Sequence, residues 1–462
     1  MRPRRRPSVR QEGSRRVRAA VVNHSGLGES EANMRRQGMR TVAWVMGAVA
    51  TLLASVAGWC AEPEKDAVLR EGRPGVAARG FHASPGGAGH RLTLTNGDVR
   101  VPLVVVRGNS RQMGWHLGRL MKDEMARLVP AAVAGFKAEL KVDDAVLDHA
   151  WAATAAHTDA RLLHQLVGLA EGSGIDVRLL QHVHCLPLLM PYSCSSIAAW
   201  GQATQDGHLY QTRNLDWSLR AGAHEFPVVV VYVPEWGQPH VTPSFAGFIG
   251  AHCGMNAAGI VLSEIGDASA KEMPYDIHAP HFTAWFRTLL FDATTLSEAV
   301  SGFHRVRPTK RYHFVFGDGL TERRAVKVRA HTGPGLAAPQ VDEWRDNDPR
   351  DELAPAVVSC AVYHDEGRGV FPGLKAGLGK LDGDRMIALA NSIPIKGGNV
   401  MNAVFDATGL RLWVSYAGGS HEAYQRPYVH LDLSRLDADA DGRPDFQRHR
   451  PSSVPLVPET RP

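Results

Sequence analysis

Hydrophobic positions along this chain change their period several times, and each change marks an element. Leu92 and Leu94 alternate with polar residues before an Asn96-Gly97 turn, and a second strand continues to Val106. Arg107-Gly108-Asn109-Ser110 then opens a helix carrying Met113-Gly114-Trp115-His116-Leu117-Gly118. Helices are expected to fill 125–190, because Leu162, Leu166 and Leu169 repeat at helical spacing and Gly172 and Gly174 end the run. Asp176 can cap the next helix. The stretch from Tyr192 to Trp217 reads as a hairpin turning at Gln205-Asp206-Gly207, where Asp and Gly supply the positive φ of a tight reversal. Phe226 to Val233 is almost continuously apolar, as in a strand buried on both faces. Strand–turn–strand follows from Pro243 to Ile265, then a helix over 282–302 and a strand around Tyr312 to Phe316. The polar, Pro-containing 331–355 is expected to be a surface loop. Val357 to Tyr363 is a strand, Asp384 to Asn391 a helix, and 400–416 a hairpin.

The two ends have a different character. Residues 1–41 are polar and Arg-rich, an apolar run spans Val42 to Val56, and small residues stand near Gly58 and Ala61. That order is the one of a secretory signal peptide, so 1–61 is expected to be removed on export, leaving a periplasmic or secreted protein. The n-region is long, which makes Met34 or Met39 an alternative start. The apolar run is short for a membrane span. Residues 62–90, rich in Gly, Pro and charge, read as a flexible linker. At the other end, 437–462 is expected to be a disordered tail. It contains Asp437-x-Asp439-x-Asp441-Gly442 and Asp445, the start of a Ca²⁺ loop whose twelfth position is Arg448 rather than Glu.

Composition narrows the classes. At 44% hydrophobic and 21% charged, the chain can bury a large core. Its net charge of +5 comes from the N-terminal arginines, so the remainder is near neutral and no nucleic-acid partner is expected. Five cysteines (Cys60, Cys185, Cys194, Cys253, Cys360) are too scattered for a disulfide scaffold or a CxxC zinc site. No phosphate-loop, adenylate or dinucleotide motif occurs, and no cofactor is expected.

The chemistry concentrates in the 192–217 hairpin. A turn near Gln205 and Asp206 brings residues around Asp216 opposite Cys194, so a thiol, the Arg213 guanidinium and a carboxylate should meet at one end. A cysteine attacks only as thiolate, and a nearby cation favours that form. The same spacing also suits a buried cysteine beside a structural Arg–Asp pair. His182 and His184 could ligate zinc, but residues two apart on a helix point in different directions.

The residues themselves add to this. Cys194-Ser195-Ser196, Ala198-Ala199-Trp200-Gly201, Ala203-Thr204, Asp206-Gly207 and Arg213-Asn214-Leu215-Asp216-Trp217, with Gly254-Met255-Asn256 and Gly259 beyond, form one block. This block resembles the N-terminal nucleophile hydrolases, nearest the peptidase C45 family of acyl-CoA:6-aminopenicillanate acyltransferase-like proteins, which is related to the choloylglycine hydrolases. The resemblance implies an α+β fold, a four-layer αββα sandwich. Residues 91–193 would be a helical pro-segment or α chain, and 194–436 a β chain completing the domain. It implies a self-cut between Ser193 and Cys194, after which the two fragments stay associated. Cys194 would then attack a linear amide of a small N-acyl compound, with Arg213 and Asp216 in the active site and Asn256 as oxyanion donor. Release to water makes a hydrolase, release to an amine an acyltransferase. Ser193 stands where many members have Gly. The later Asn and Arg of choloylglycine hydrolases have no clear match among Asn391, Asn399 and Asn402. Two rivals stand beside this reading: a non-catalytic binding protein on the same fold, and a zinc hydrolase using His182 and His184.

Overall fold

The computed structural model describes residues 87–189, 193–266, 277–309, 311–331, 340–351 and 358–447. The expected signal peptide, almost all of the linker and the last part of the tail lie outside these.

Among the described residues, two sheets carry the molecule. The larger has nine strands in the order β1-β2-β5-β6-β7-β8-β9-β10-β11. These are β1 Ala88–Asn96, β2 Val99–Gly108, β5 Pro227–Pro234, β6 His240–Phe245, β7 Cys253–Asn256, β8 Ile260–Ile265, β9 Tyr312–Asp318, β10 Arg324–His331 and β11 Gln340–Trp344. The smaller has six, in the order β12-β3-β4-β13-β14-β15. They are β3 Ser193–Gly201, β4 Gly207–Asp216, β12 Ala361–His364, β13 Asn399–Asp406, β14 Arg411–Tyr416 and β15 Val429–Asp432. Neighbours run antiparallel except β2 and β5, which are parallel, Leu103 beside Val229 through Gly108 beside Pro234. Over Leu103–Val106 and Val228–Tyr232 these strands are apolar and buried on both faces, as a parallel pair inside a sheet requires.

The sheets face each other through side chains. Gln211 of β4 donates to the Ser263 hydroxyl (2.8 Å) and the Val315 carbonyl (2.9 Å), and the Tyr416 hydroxyl donates to the Val228 carbonyl (3.0 Å). Helices cover the outer faces. Against the large sheet lie two helices, Phe282–Asp292 and Leu296–Phe303, with Phe286 5.4 Å from Phe314 and Phe303 5.3 Å from Phe316 between ring centres. On the small sheet, helix Gly383–Ser392 packs Met386 and Leu389 onto Ile197, Ala199 and Tyr210. The layer order is therefore helix, sheet, sheet, helix, as the resemblance implies.

Five helices fill 110–189 in chain order: α1 Ser110–Leu120, α2 Lys122–Leu140, α3 Asp144–Ala155, α4 Ala160–Ser173 and α5 Val177–Leu189. Helices α1 and α4 touch backbone to backbone. A Cβ on Gly114 would lie 2.0 Å from the Gln165 carbonyl oxygen, and one on Gly168 2.0 Å from that of Arg111. The sequence spacing of Gly114 and Gly118 is thus explained by Gly168 and Gly172 opposite.

Two expectations need correction. Residues 331–355 are not all loop, because Gln340–Trp344 pairs with β10 and Trp344 is buried. Residues 437–447 are not a disordered tail: Phe446 enters the core and the buried Asp445 pairs with Arg107. Among the described residues, carboxylate oxygens of Asp437, Asp439 and Asp441 lie within 4.8 Å of one another. Arg107 also reaches Asp439 (3.3 Å), so a fixed cation already answers this acidic turn.

Candidate active site

The hairpin forms at the expected place, but its register differs by one residue. A bulge near Gly201 shifts the pairing, so Cys194 lies opposite Leu215 and Asp216 opposite Ser193. Side chains alternate faces along a strand, and the one-residue difference puts the thiol and the Asp216 carboxylate on opposite faces of the small sheet.

On the face toward the large sheet, Cys194 is fully buried with Arg213. Its Sγ lies 4.0 Å from Glu264 Oε2, and Arg213 Nη2 donates to that same oxygen at 3.2 Å. Burial pushes the thiol well above its ordinary range. Arg213 and the Gly266 N–H act against that shift, while Glu264 and Asp216 add to it. In the continuous chain the thiol therefore keeps its proton.

On the opposite face, Asp216 is held by residues from later in the chain. Arg368 Nη1 contacts its Oδ2 at 2.5 Å, and Asn399 Nδ2 donates to its Oδ1 at 3.0 Å. Burial raises the Asp216 carboxyl, with Arg368 and then Asn399 opposing. Arg368 also reaches through Nη2 to the Cys194 carbonyl oxygen (2.6 Å), joining the two faces. Ser193 donates its hydroxyl to both carboxylate oxygens of Glu366 (2.7 and 2.8 Å), which Lys396 pairs at 2.5 Å.

Asn256, expected as an oxyanion donor, is not free for that role. Its Nδ2 donates to the Leu290 (3.1 Å) and Ala293 (2.8 Å) carbonyls, and its Oδ1 accepts from the Ala258 and Ile260 amides, both at 3.0 Å. Both amide hydrogens are used, so Asn256 ties β7 to helix Phe282–Asp292. The N–H that meets the thiol is the backbone of Gly266 instead.

The histidine pair is split. His182 Nε2 faces Asp148 (2.8 Å), whereas His184 bonds the Leu180 carbonyl (2.6 Å) and accepts from the Ile249 amide (3.0 Å). They share no metal position.

A small cavity of about 60 Å³ opens near the site, lined by Leu128 and Ala132 of α2, Val183, Leu186 and Pro187 of α5, and Leu215, Trp217, Phe245 and Phe248. Leu215 is the register partner of Cys194, so the cavity wall includes the cross-strand neighbour of the thiol, while Cys194 itself stays fully buried behind it. His252 also lines it, its pKa pushed down to about 3 by burial and then by Arg213. The imidazole is neutral, and the cavity wall is apolar.

Glu264, Glu366 and Arg368 were not singled out in the sequence. Glu264 had a signal: a carboxylate inside the buried, otherwise uncharged Ile260–Ile265 strand. Glu366 and Arg368 sit in a turn whose composition gives none.

No protein-family profile matches the sequence. Over 218 residues the chain is 31% identical to Protein dcd1B of Dictyostelium discoideum, spanning 41% of this chain and 44% of that protein. Over 110 residues it is 31% identical to Protein dcd1A of the same organism, spanning 22% and 25%. The match thus spans less than half the length of these curated relatives. Solved structures found by similarity include an N-acylethanolamine-hydrolyzing acid amidase ortholog of Caenorhabditis elegans (TM-score 0.35, 14% identity, 52% of this chain and 100% of that one). Penicillin V acylase from Agrobacterium tumefaciens gives a TM-score of 0.36 at 14% identity, over 53% and 88%. A variant of conjugated bile acid hydrolase from Clostridium perfringens gives 0.37 at 9% identity, over 57% and 100%.

Proposed function

We propose that this chain is an exported cysteine amidohydrolase of the N-terminal nucleophile type. It cuts itself between Ser193 and Cys194 and then cleaves a linear amide of an N-acyl compound with an apolar acyl group. One observation carries the reading: the Cys194 thiol sits against a buried Arg213–Glu264 pair, and its register partner Leu215 lines an apolar cavity. A buried structural cysteine needs neither neighbour.

Before the cut, the thiol is neutral and enclosed. The cut creates an α-amine at Cys194, a group whose ordinary pKa of about 7.7–8.0 lets it serve as base for the neighbouring thiol once the opened site admits water. Asp216, register partner of Ser193, lies across the strand pair from the cut and is assigned the role of holding the released ammonium. Arg213 and the Gly266 N–H favour the thiolate, and Gly266 is the available backbone donor for a developing oxyanion. The acyl chain enters the cavity and the amine departs toward the polar face.

Intact mass of the exported protein tests this directly. Two fragments are expected, the second beginning at Cys194, together with loss of both cleavage and amidase activity in Cys194→Ala. Labelling of that cysteine by iodoacetamide should abolish hydrolysis of medium- and long-chain N-acyl amides. Product analysis with an added amine distinguishes hydrolysis from acyl transfer. An uncut chain that is still an active amidase would refute the self-cut, and a cut chain inert toward all such amides would leave a binding protein.

A further inference from the structure

The turn after β12 grips both residues that flank the Ser193–Cys194 peptide bond. Glu366 accepts the Ser193 hydroxyl through both carboxylate oxygens, and Arg368, two residues on, donates to the Cys194 carbonyl at 2.6 Å. The turn is itself held stiffly. Asp365 accepts the Gly367 and Val370 amides through its two oxygens (3.0 and 2.8 Å), and its carbonyl takes Arg368 Nε (2.9 Å). Glu366 adopts φ +53°, in the left-handed region, and Gly367 follows at +73°. A non-glycine residue there is strained and persists only where its surroundings fix it. What fixes Glu366 is Lys396 on one side and Ser193 on the other.

We propose that Glu366 is a positioning residue for self-cleavage, and that with Arg368 it clamps the scissile peptide before the cut. This rests on the self-cut proposed above. The reaction itself moves few atoms. Cys194 Sγ bonds to the Ser193 carbonyl carbon, the C–N bond breaks, and the nitrogen takes up the thiol's proton to become the α-amine. Water then opens the thioester, giving a Ser193 carboxylate and restoring the thiol. Such a shift needs the sulfur held in line with a carbonyl one residue upstream, a geometry that an unrestrained strand end visits rarely. Fixing the Ser193 side chain and the Cys194 carbonyl restrains the backbone on both sides of the bond. Once the bond is cut, Ser193 is free to leave and the clamp has no further substrate in its own chain.

The test is a time course of cleavage in full-length chain translated in vitro with labelled methionine, for wild type, Ser193→Ala, Glu366→Ala and the double variant. Losing a charge-assisted hydrogen bond should slow cleavage roughly ten- to a hundredfold in each single variant. The double variant should be no slower than the slower single one, because both remove the same contact. Glu366→Gln, which keeps an acceptor for the hydroxyl, should recover part of the rate and guards against a variant that merely misfolds. Cleavage of Glu366→Ala at the wild-type rate would overturn the clamp while leaving self-cleavage intact. So would an undiminished effect of Glu366→Ala in the Ser193→Ala background. A wild-type chain that is never cut would instead remove the self-cut, and the clamp with it.

Discussion

Asn256→Ala separates a structural from a catalytic reading of one residue. The side chain makes four hydrogen bonds to main-chain groups, and the residue is fully buried. Removing it leaves two carbonyls and two amides without these partners. At about 1 kcal/mol net for each bond, the loss comes to ~4 kcal/mol, more if no water reaches the gap. Unfolding entropy of ~2.1 cal/mol/K per residue over a domain of roughly 350 residues gives about 0.75 kcal/mol/K, hence a fall in melting temperature of ~5 °C. Calorimetry in the Cys194→Ala background, where both chains stay uncut, measures it. Amidase turnover of Asn256→Ala with intact Cys194, taken well below its melting temperature, should stay within a few-fold of wild type. An oxyanion donor would behave the other way, costing about 10² to 10³ in rate with little change in stability. That outcome would refute the structural assignment.

Three further perturbations follow from the geometry. Arg213→Lys should lower turnover about tenfold or more in a steady-state amidase assay, since an ammonium cannot reproduce the guanidinium fork facing Glu264. Gly168→Ala drives a Cβ to 2.0 Å from the Arg111 carbonyl oxygen and should destabilise by about 3 kcal/mol in urea unfolding, because backbone must give way. His184 is buried neutral, its pKa pushed from 6.5 down to about 4 by burial. Between those values the unfolded chain binds a proton that the fold excludes, so stability falls as pH drops from 6.5 toward 4. His184→Gln should flatten that slope by about 1.4 kcal/mol per pH unit, read from urea midpoints across the window.

The hairpin, the apolar Phe226–Val233 strand and the helical 125–190 region were legible because each follows a local rule of period, turn chemistry or burial. The site was legible only where one stretch of chain carries it. Cys194, Arg213 and Asp216 share a hairpin, and their proximity could be read from a turn. Their faces could not, since a single bulged residue at Gly201 decides them. Asn256 misled because a glycine-flanked asparagine looks the same whether its amide serves substrate or backbone. Glu366, Arg368 and Asn399 come from 172 to 205 residues beyond Cys194 and are placed by pairing between distant strands, on which local composition is silent. The first part of the tail failed for the same reason: Asp445 looks solvated until Arg107, far upstream, meets it.

Strand β2 belongs to the segment before Cys194, yet it sits inside the large sheet, hydrogen-bonded to β1 on one side and β5 on the other. Opening the chain at 193–194 would therefore turn one folding unit into two polypeptides that were never meant to find each other. The covalent link that brought β2 to β5 would be gone, while the packed pair remained. Denaturation of the cut protein should then be a one-way event, with hysteresis in every unfolding cycle and recovery that falls on dilution. The uncut Cys194→Ala chain should refold at any concentration. Persistence of the cut form would rest on a barrier rather than an equilibrium, and its lifetime on how slowly β2 leaves the sheet.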